Sequence, residues 1–330
     1  MTILEGLNNA QREAVVYGDG PLLILAGAGS GKTKTVTHRI AYLVQEKHTT
    51  PEHILAVTFT NKAAQEMRER LAQLMGLTEP PHRSFFPWMG TFHSICVRLL
   101  RIDGEQIGVP RNFTIIDEAD RLSLIKQIMK DKHISEKQYN PRAVQTQISS
   151  AKNELVTPQE YSATAQLPLQ KITANVYPAY EKTRKDRMSL DFDDIIAETV
   201  RLLQASPDIR TKWQRYFHHI VIDEYQDTNA AQYTLVKLLV NDQQNICVVG
   251  DDWQSIYSWR GADYMNILRF EKDYPGTKTI KLEQNYRSTQ AILDAAHGVI
   301  SKNRSRSEKK LFTNNKSGSP VLVLQLANEQ

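Results

Sequence analysis

Four apolar residues in a row, Leu22-Leu-Ile-Leu25, stand out from the mixed pattern around them and read as a buried strand. A glycine-rich turn follows, and Lys32-Thr33 then opens a segment whose apolar positions over 34–45 recur at helical spacing. Residues 54–60 form a second strand candidate and 61–75 a charged helix, and Gly90-Thr-Phe-His-Ser94 leads into another helix. This alternation of strand and helix predicts a parallel α/β sheet. From about 97 to 188 the character changes to long polar–apolar helical stretches with little strand signal and prolines at 110, 141, 158, 168 and 178. That region reads as a helical insertion. Strand signals return at 219–223, 245–250 and 279–282. The polar, basic run 303–319 reads as an exposed loop, and 321–326 as a fresh strand.

A length of 330 residues suggests two or three domains, and 41% hydrophobic residues are enough for sizeable cores. No segment approaches a transmembrane span, and the N-terminus lacks a basic region followed by an apolar run. Only two cysteines occur, and Cys247 lies in the apolar run 246–249, where a small buried thiol fits a reduced, cytoplasmic compartment. The net charge of +4 is too mild to establish a nucleic-acid partner by itself.

The candidate chemistry starts at Gly27-Ala28-Gly29-Ser30-Gly31-Lys32-Thr33, a phosphate-binding loop in its strand–loop–helix setting. The glycines let successive N–H groups converge on one anion, and the helix N-terminus adds positive dipole. Lys32 is expected to reach the β- and γ-phosphates of ATP and Thr33 to sit on Mg²⁺. Ala26 stands where the usual pattern has its first glycine, a variant of the motif. Two segments compete for the metal-binding acid: Ile115-Ile-Asp-Glu118 and Val221-Ile-Asp-Glu224. The first continues as a helix with Asp117 as its N-cap. The second ends a longer apolar run, so Asp223 is assigned to Mg²⁺ and Glu224 to the base that activates water. Gln254 follows the strand at 245–250, at a tip where a γ-phosphate could be sensed. Tyr257, Trp259 and Arg260 combine rings and a cation as single-stranded nucleic acid requires, although burial of the two aromatics in a core explains them equally well.

Taken in order, Gln11, the phosphate loop, Thr58-Phe-Thr-Asn-Lys-Ala-Ala-Gln-Glu-Met67, Gly90-Thr-Phe-His93, Asp223-Glu-Tyr-Gln-Asp-Thr228, the 254–261 stretch and Gln284-Asn-Tyr-Arg-Ser-Thr289 closely resemble the UvrD/Rep/PcrA-type superfamily 1 helicases. The motifs span residues 7 to about 291, and the set is specific although no single member is. The resemblance implies an α/β, RecA-like P-loop NTPase parallel sheet (1–96 and 189–280), a helical insertion subdomain (97–188), and the start of a second RecA-like domain (281–330). It further implies ATP-driven 3′→5′ translocation on single-stranded DNA and unwinding at single-strand/duplex junctions. Repair or replication proteins are implied as further partners, with oligomeric state open.

On this resemblance Gln11 hydrogen-bonds adenine, Tyr286 stacks on it, and Arg287 reaches the γ-phosphate. Gln254 couples phosphate state to DNA, while Phe59, Asn61, Thr91, His93, Tyr257, Trp259 and Arg260 line the DNA path. Two departures stand out. Trp253 takes a place where many relatives carry an acid, and the sequence stops before the family's later motifs, which include a second arginine for the transferred phosphoryl group. The chain is therefore expected to be the N-terminal portion of a larger helicase, weak or inactive alone. The rival expectations are a non-catalytic ATP- and DNA-binding module and the helicase part of a helicase–nuclease.

Overall fold

The computed structural model describes residues 3–77, 84–303, 306–322 and 325. Its centre is a six-stranded sheet. Leu22–Ala26 (β1), Ile54–Thr58 (β2), Met89–Thr91 (β3), His219–Ile222 (β6), Ile246–Gly250 (β7) and Lys278–Leu282 (β8) lie in the order β3-β2-β6-β7-β1-β8, every pair parallel. β1, β2, β6 and β7 are buried at every position, as strands covered on both faces must be. Two short parallel ladders stand apart from this sheet: Thr114–Ile115 (β4) with Ser189–Leu190 (β5), and Gln284–Asn285 (β9) with Phe312–Thr313 (β10). The pair at 115–118 thus belongs to no central strand, and Asp117 caps the next helix in a reciprocal capping box with Asp120.

Helices cover the sheet: Asn9–Val16 (α1), Lys32–Gln45 (α2), Asn61–Leu74 (α3), Phe92–Asp103 (α4), Phe192–Ala205 (α9), Pro207–Tyr216 (α10) and Ala230–Leu239 (α11). The strand read over 54–60 ends at Thr58, because Thr60 accepts the Ala63 N–H and caps α3. One apolar cluster on each face forms the main core, with Cys96 in one and Cys247 in the other. Glu118–Asp131 (α5), Pro141–Asn153 (α6), Pro158–Thr164 (α7) and Pro168–Asp186 (α8) enclose a third cluster of their own, built on Ile125, Ile148, Val176 and Tyr180. Proline occupies the first position of α6, α7 and α8, where its missing N–H costs no helical hydrogen bond. The short helices Met265–Leu268 (α12) and Phe270–Asp273 (α13) precede β8, and Gln290–Ile300 (α14) follows β9.

The helical layer is riveted to α9 by buried charge. The Lys152 ammonium contacts Asp194 at 2.6 Å and Asp191 and Glu181 at 2.8 Å. Arg184 pairs with Asp194 and Glu198, Arg121 with Asp191 and Asp193, and the Tyr180 hydroxyl donates to Asp191. Removing one partner of such a set strands the others in a poorly solvating site.

Within the run at 303–319, residues 314–319 are exposed as its polarity predicts, but 307–313 is tied into the fold. Lys309 is fully buried between Asp251 and Asp252, Phe312–Thr313 pairs with Gln284–Asn285, and Leu311 packs so closely on Gly27 that a Cβ there would collide with it. Pairing of the lysine charge is what lets a hydrophilic stretch enter the interior. Of the strand read at 321–326, residues 323, 324 and 326 lie outside the described residues, and 321–322 form no ladder.

Lys152→Ala is expected to lower the unfolding free energy by about 3–5 kcal/mol, measured by urea denaturation. Adding Asp194→Asn should recover part of the loss, since it removes a carboxylate left without its cation.

Candidate nucleotide and DNA site

All strands of the main sheet run the same way, so their C-terminal ends form one edge, and the predicted motifs gather there. β1 ends at Ala26, which is buried and in register with Leu282. This position is ordinary strand, so alanine serves where the motif usually has glycine. Left-handed backbone is needed only at Gly29 (φ 68°) and Gly31 (φ 84°), after which α2 begins at Lys32. The Ser30 hydroxyl donates to Gly27 O at 2.7 Å, closing the loop on itself.

Lys32 Nζ lies 3.4 Å from Glu224 Oε2, which joins the end of β1 to the end of β6. Asp223 directly follows β6, donates its N–H to Val57 O, and accepts the Glu224 N–H at 2.9 Å. Glu224 is held in the left-handed region at φ 52°, an unfavourable conformation for a side chain with a Cβ that turns its carboxylate toward Lys32. Burial, with the Glu224 charge adding to it, pushes the Asp223 carboxyl up to about 7. A buried carboxyl that resists ionisation is a group a cation would complete. With the Thr33 hydroxyl in the first turn of α2 it suits Mg²⁺, which takes most of its ligands from phosphates and water.

Gln226 was not singled out by the sequence reading, yet it is the bridge of the site. It is 1% exposed, donates to Glu224 Oε2 at 3.0 Å and to Asp227 Oδ2 at 3.2 Å, and accepts the Asp251 N–H at 2.9 Å. An amide flanked by acids at a strand tip was the available signal. Gln254 sits in the 3-10 turn Asp252–Gln254 after β7, its amide donating to Asp251 Oδ2. Trp253 donates its indole N–H to Ser307 O and lies under the Lys309 ammonium at 4.7 Å. Its place in the motif serves packing against 307–309.

The segment after β8 seats itself on the phosphate loop. Tyr286 N–H donates to Gly29 O at 2.9 Å, and the Asn285 side chain donates to Ala28 O while accepting from the N–H groups of Arg287 and Ser288. Arg287 is exposed beside Gly29 and makes no ion pair among the described residues. Tyr286, 49% exposed, donates its hydroxyl to Gln284 and accepts from Asn8. Gln11, expected on adenine, is buried with its amide engaged: it donates to Ser30 O and accepts the Asn8 N–H in the capping box of α1.

The DNA candidates fall into two groups. Phe59 packs edge-on to Phe92, Asn61 is exposed at the start of α3, Thr91 caps α4, and His93 lies edge-on to Phe192. Burial holds the His93 imidazole below its usual range and therefore neutral at pH 7. Phe192, missed by the sequence reading, is 51% exposed at the start of α9. The second group is Tyr257 and Trp259, 39% and 71% exposed with rings 6.5 Å apart, which rules out the core alternative for both. The Arg260 side chain lies outside the described residues.

A parallel sheet carrying a phosphate loop after β1 and an Asp-Glu pair after β6 defines a RecA-like P-loop nucleotide-binding protein. The chain belongs to the UvrD/REP helicase family. Residues 7–275 match the UvrD/REP helicase N-terminal domain and 280–330 the UvrD-like helicase C-terminal domain. It is 52% identical over 327 residues to the ATP-dependent DNA helicase PcrA of Bacillus subtilis, covering 99% of this chain and 44% of that protein. The proteins of the same name from Leuconostoc citreum and Staphylococcus aureus are 51% and 50% identical, with 99% of this chain and 43% and 44% of theirs covered. The chain thus spans less than half the length of these curated relatives. Among the described residues no helix is long and apolar enough to cross a membrane.

Folding favours the protonated Asp223 carboxyl, so the penalty accrues as pH rises from about 4 and is complete above about 7. Asp223→Asn should therefore stabilise the nucleotide- and metal-free chain by about 2–4 kcal/mol at pH 8. The gain should be smaller at pH 5.5, as read from thermal melts at both values.

Proposed function

We propose that this chain is the ATP- and single-stranded-DNA-binding motor portion of a helicase, with ATP·Mg²⁺ as its nucleotide. The observation that carries the reading is the Lys32–Glu224 contact beside the buried Asp223, which brings phosphate ligand, base and metal ligand to one edge of the sheet. In this reading 1–96 and 189–280 form the first motor domain, 97–188 the helical insertion, and 281–330 the beginning of the second. Translocation in the 3′→5′ sense, unwinding of duplex at a junction, contact with repair or replication proteins and a cytoplasmic location follow from the family resemblance.

Mg²⁺ held by Asp223 and Thr33 would supply charge neutralisation at the phosphates when bound. The chain does the rest. The loop N–H groups and Lys32 hold the β- and γ-phosphates, and Arg287 adds a second cation from the far side of the loop. Glu224 orients water and takes its proton as the water oxygen bonds to the γ-phosphorus. The bond to the β–γ bridging oxygen breaks, giving ADP and phosphate. Gln254 reads whether the γ-phosphate is present. Phe59, Tyr257, Trp259 and the exposed Phe192 offer faces on which bases stack, with His93, Thr91, Asn61 and Arg260 contacting the strand between them. Gln11 keeps the loop in shape, with a remaining amide hydrogen and lone pair for adenine beside Tyr286.

Nucleotide binding, phosphate release and anisotropy of a labelled oligonucleotide test the reading on this chain. Lys32→Ala should weaken ATP binding at least about tenfold, one charge-assisted contact. Glu224→Gln should retain ATP while slowing phosphate release about 10²–10⁴-fold, the range for a general base. Trp259→Ala should weaken oligonucleotide binding by about 1–3 kcal/mol with ATP affinity unchanged. Unaltered ATP binding in the first variant or unaltered DNA binding in the third would overturn the assignment.

A further inference from the structure

The Gln254 amide, the proposed phosphate reader, is held by Asp251. The Asp251 carboxylate accepts from the Gln254 amide, from the Trp253 N–H at 3.1 Å, and from Lys309 Nζ at 2.5 Å. Its backbone N–H donates to Gln226, which also holds Glu224. Lys309 is therefore one bond removed from the amide expected to read the γ-phosphate.

The lysine is built in from every side. Its side chain is fully buried, as are those of Asp251 and Asp252, at 2% and 1% exposure. It contacts Asp252 at 2.8 Å and lies over the Trp253 ring. Asp252 in turn accepts from the N–H and hydroxyl of Ser307. Two residues further on, Leu311 packs on Gly27 of the phosphate loop, and Lys310 donates its N–H to Glu283. The segment 307–313 thus runs from the reader turn to the phosphate loop, bonded at both ends.

The two carboxylates around the ammonium are adjacent in one short turn after β7. One of these also orients Gln254. Without the ammonium, Asp251 and Asp252 would repel each other across the turn, and the Asp251 carboxylate would be free to rotate and carry the Gln254 amide with it.

We propose that Lys309 is a positioning residue for nucleotide discrimination: through Asp251 it fixes Gln254 where the γ-phosphate of ATP is read, and so sets the preference for ATP over ADP. This rests on the reading of Gln254 given above. It also makes the strap at 307–313, which belongs to the segment following the motor sheet, part of the nucleotide sensor.

The test compares ATP and ADP affinity of the 330-residue chain with a fluorescent nucleotide as competitor. Lys309→Met may be paired with Asp252→Asn, which removes the ammonium while leaving the net charge of the cluster as it was and so protects folding. In the paired variant the ATP-over-ADP preference should fall by about tenfold, the worth of one hydrogen bond to a charged group, with ADP affinity retained. Lys309→Arg should restore much of the preference. The loss should match that of Gln254→Ala, and combining the two should add nothing further. Equal weakening of ATP and ADP, or an unchanged preference, in the paired variant would reduce Lys309 to a structural ion pair and overturn the proposal. An unchanged preference in Gln254→Ala would instead remove the phosphate-reading role itself.

Discussion

A loop that binds phosphate through its N–H groups has to send its carbonyls elsewhere, because a carbonyl aimed at the same site would repel the anion. Here every carbonyl from Gly27 to Gly31 is taken. Gly27 O accepts from the N–H and hydroxyl of Ser30, Ala28 O from the Asn285 side chain, and Gly29 O from the Tyr286 N–H. Ser30 O accepts from Gln11, and Gly31 O from the N–H and hydroxyl of Thr35. The partners come from α1, from α2, from the loop itself and from the segment after β8. Much of the chain's topology can be understood as delivering those donors to one turn, with the left-handed Gly29 and Gly31 supplying the backbone freedom that makes the turn possible.

Buried charge separates what is structural from what is chemical. Around Lys152 and Arg184 the acids of α8 and α9 find cations within the chain. Asp223 differs. Lys32 stands toward Glu224, and burial leaves the Asp223 carboxyl unwilling to ionise. In a protein interior that is a destabilising arrangement, retained at positions where a bound group completes the site.

How much of this could be read from the residues depended on whether the signal was local. Leu22–Ala26 and Ile246–Gly250 announced themselves as unbroken apolar runs, because strands buried on both faces need nothing else. The loop and Asp223-Glu224 were legible for a related reason: their chemistry is a matter of residue type at fixed spacing. Lys309 was illegible. Its burial depends on Asp251 and Asp252, more than fifty residues earlier in the chain, and in the local pattern it is one basic residue in a polar run. Gln11 was legible as part of the site, but the bonds by which its amide ties α1 to the loop, to Ser30 O and from the Asn8 N–H, were not. Residue type fixed the neighbourhood there; only geometry could assign the bond.

The same geometry bears on how phosphate chemistry could be felt at the DNA candidates. Glu224 and Asp251 sit at the ends of neighbouring strands, β6 and β7, and the Gln226 side chain joins them. From Asp251 the chain passes through the 252–254 turn to Tyr257 and Trp259 within eight residues, and the left-handed Gly261 closes the turn that presents the Trp259 ring to solvent. A second path leaves the same edge. Thr228 O accepts from Asp263 N–H and from the Asn266 amide, so the turn after β6 also holds the far side of the aromatic segment. The turn from Asp223 to Thr228 is thus hydrogen-bonded on both sides of the aromatic segment, to Asp251 before it and to Asp263 and Asn266 after it.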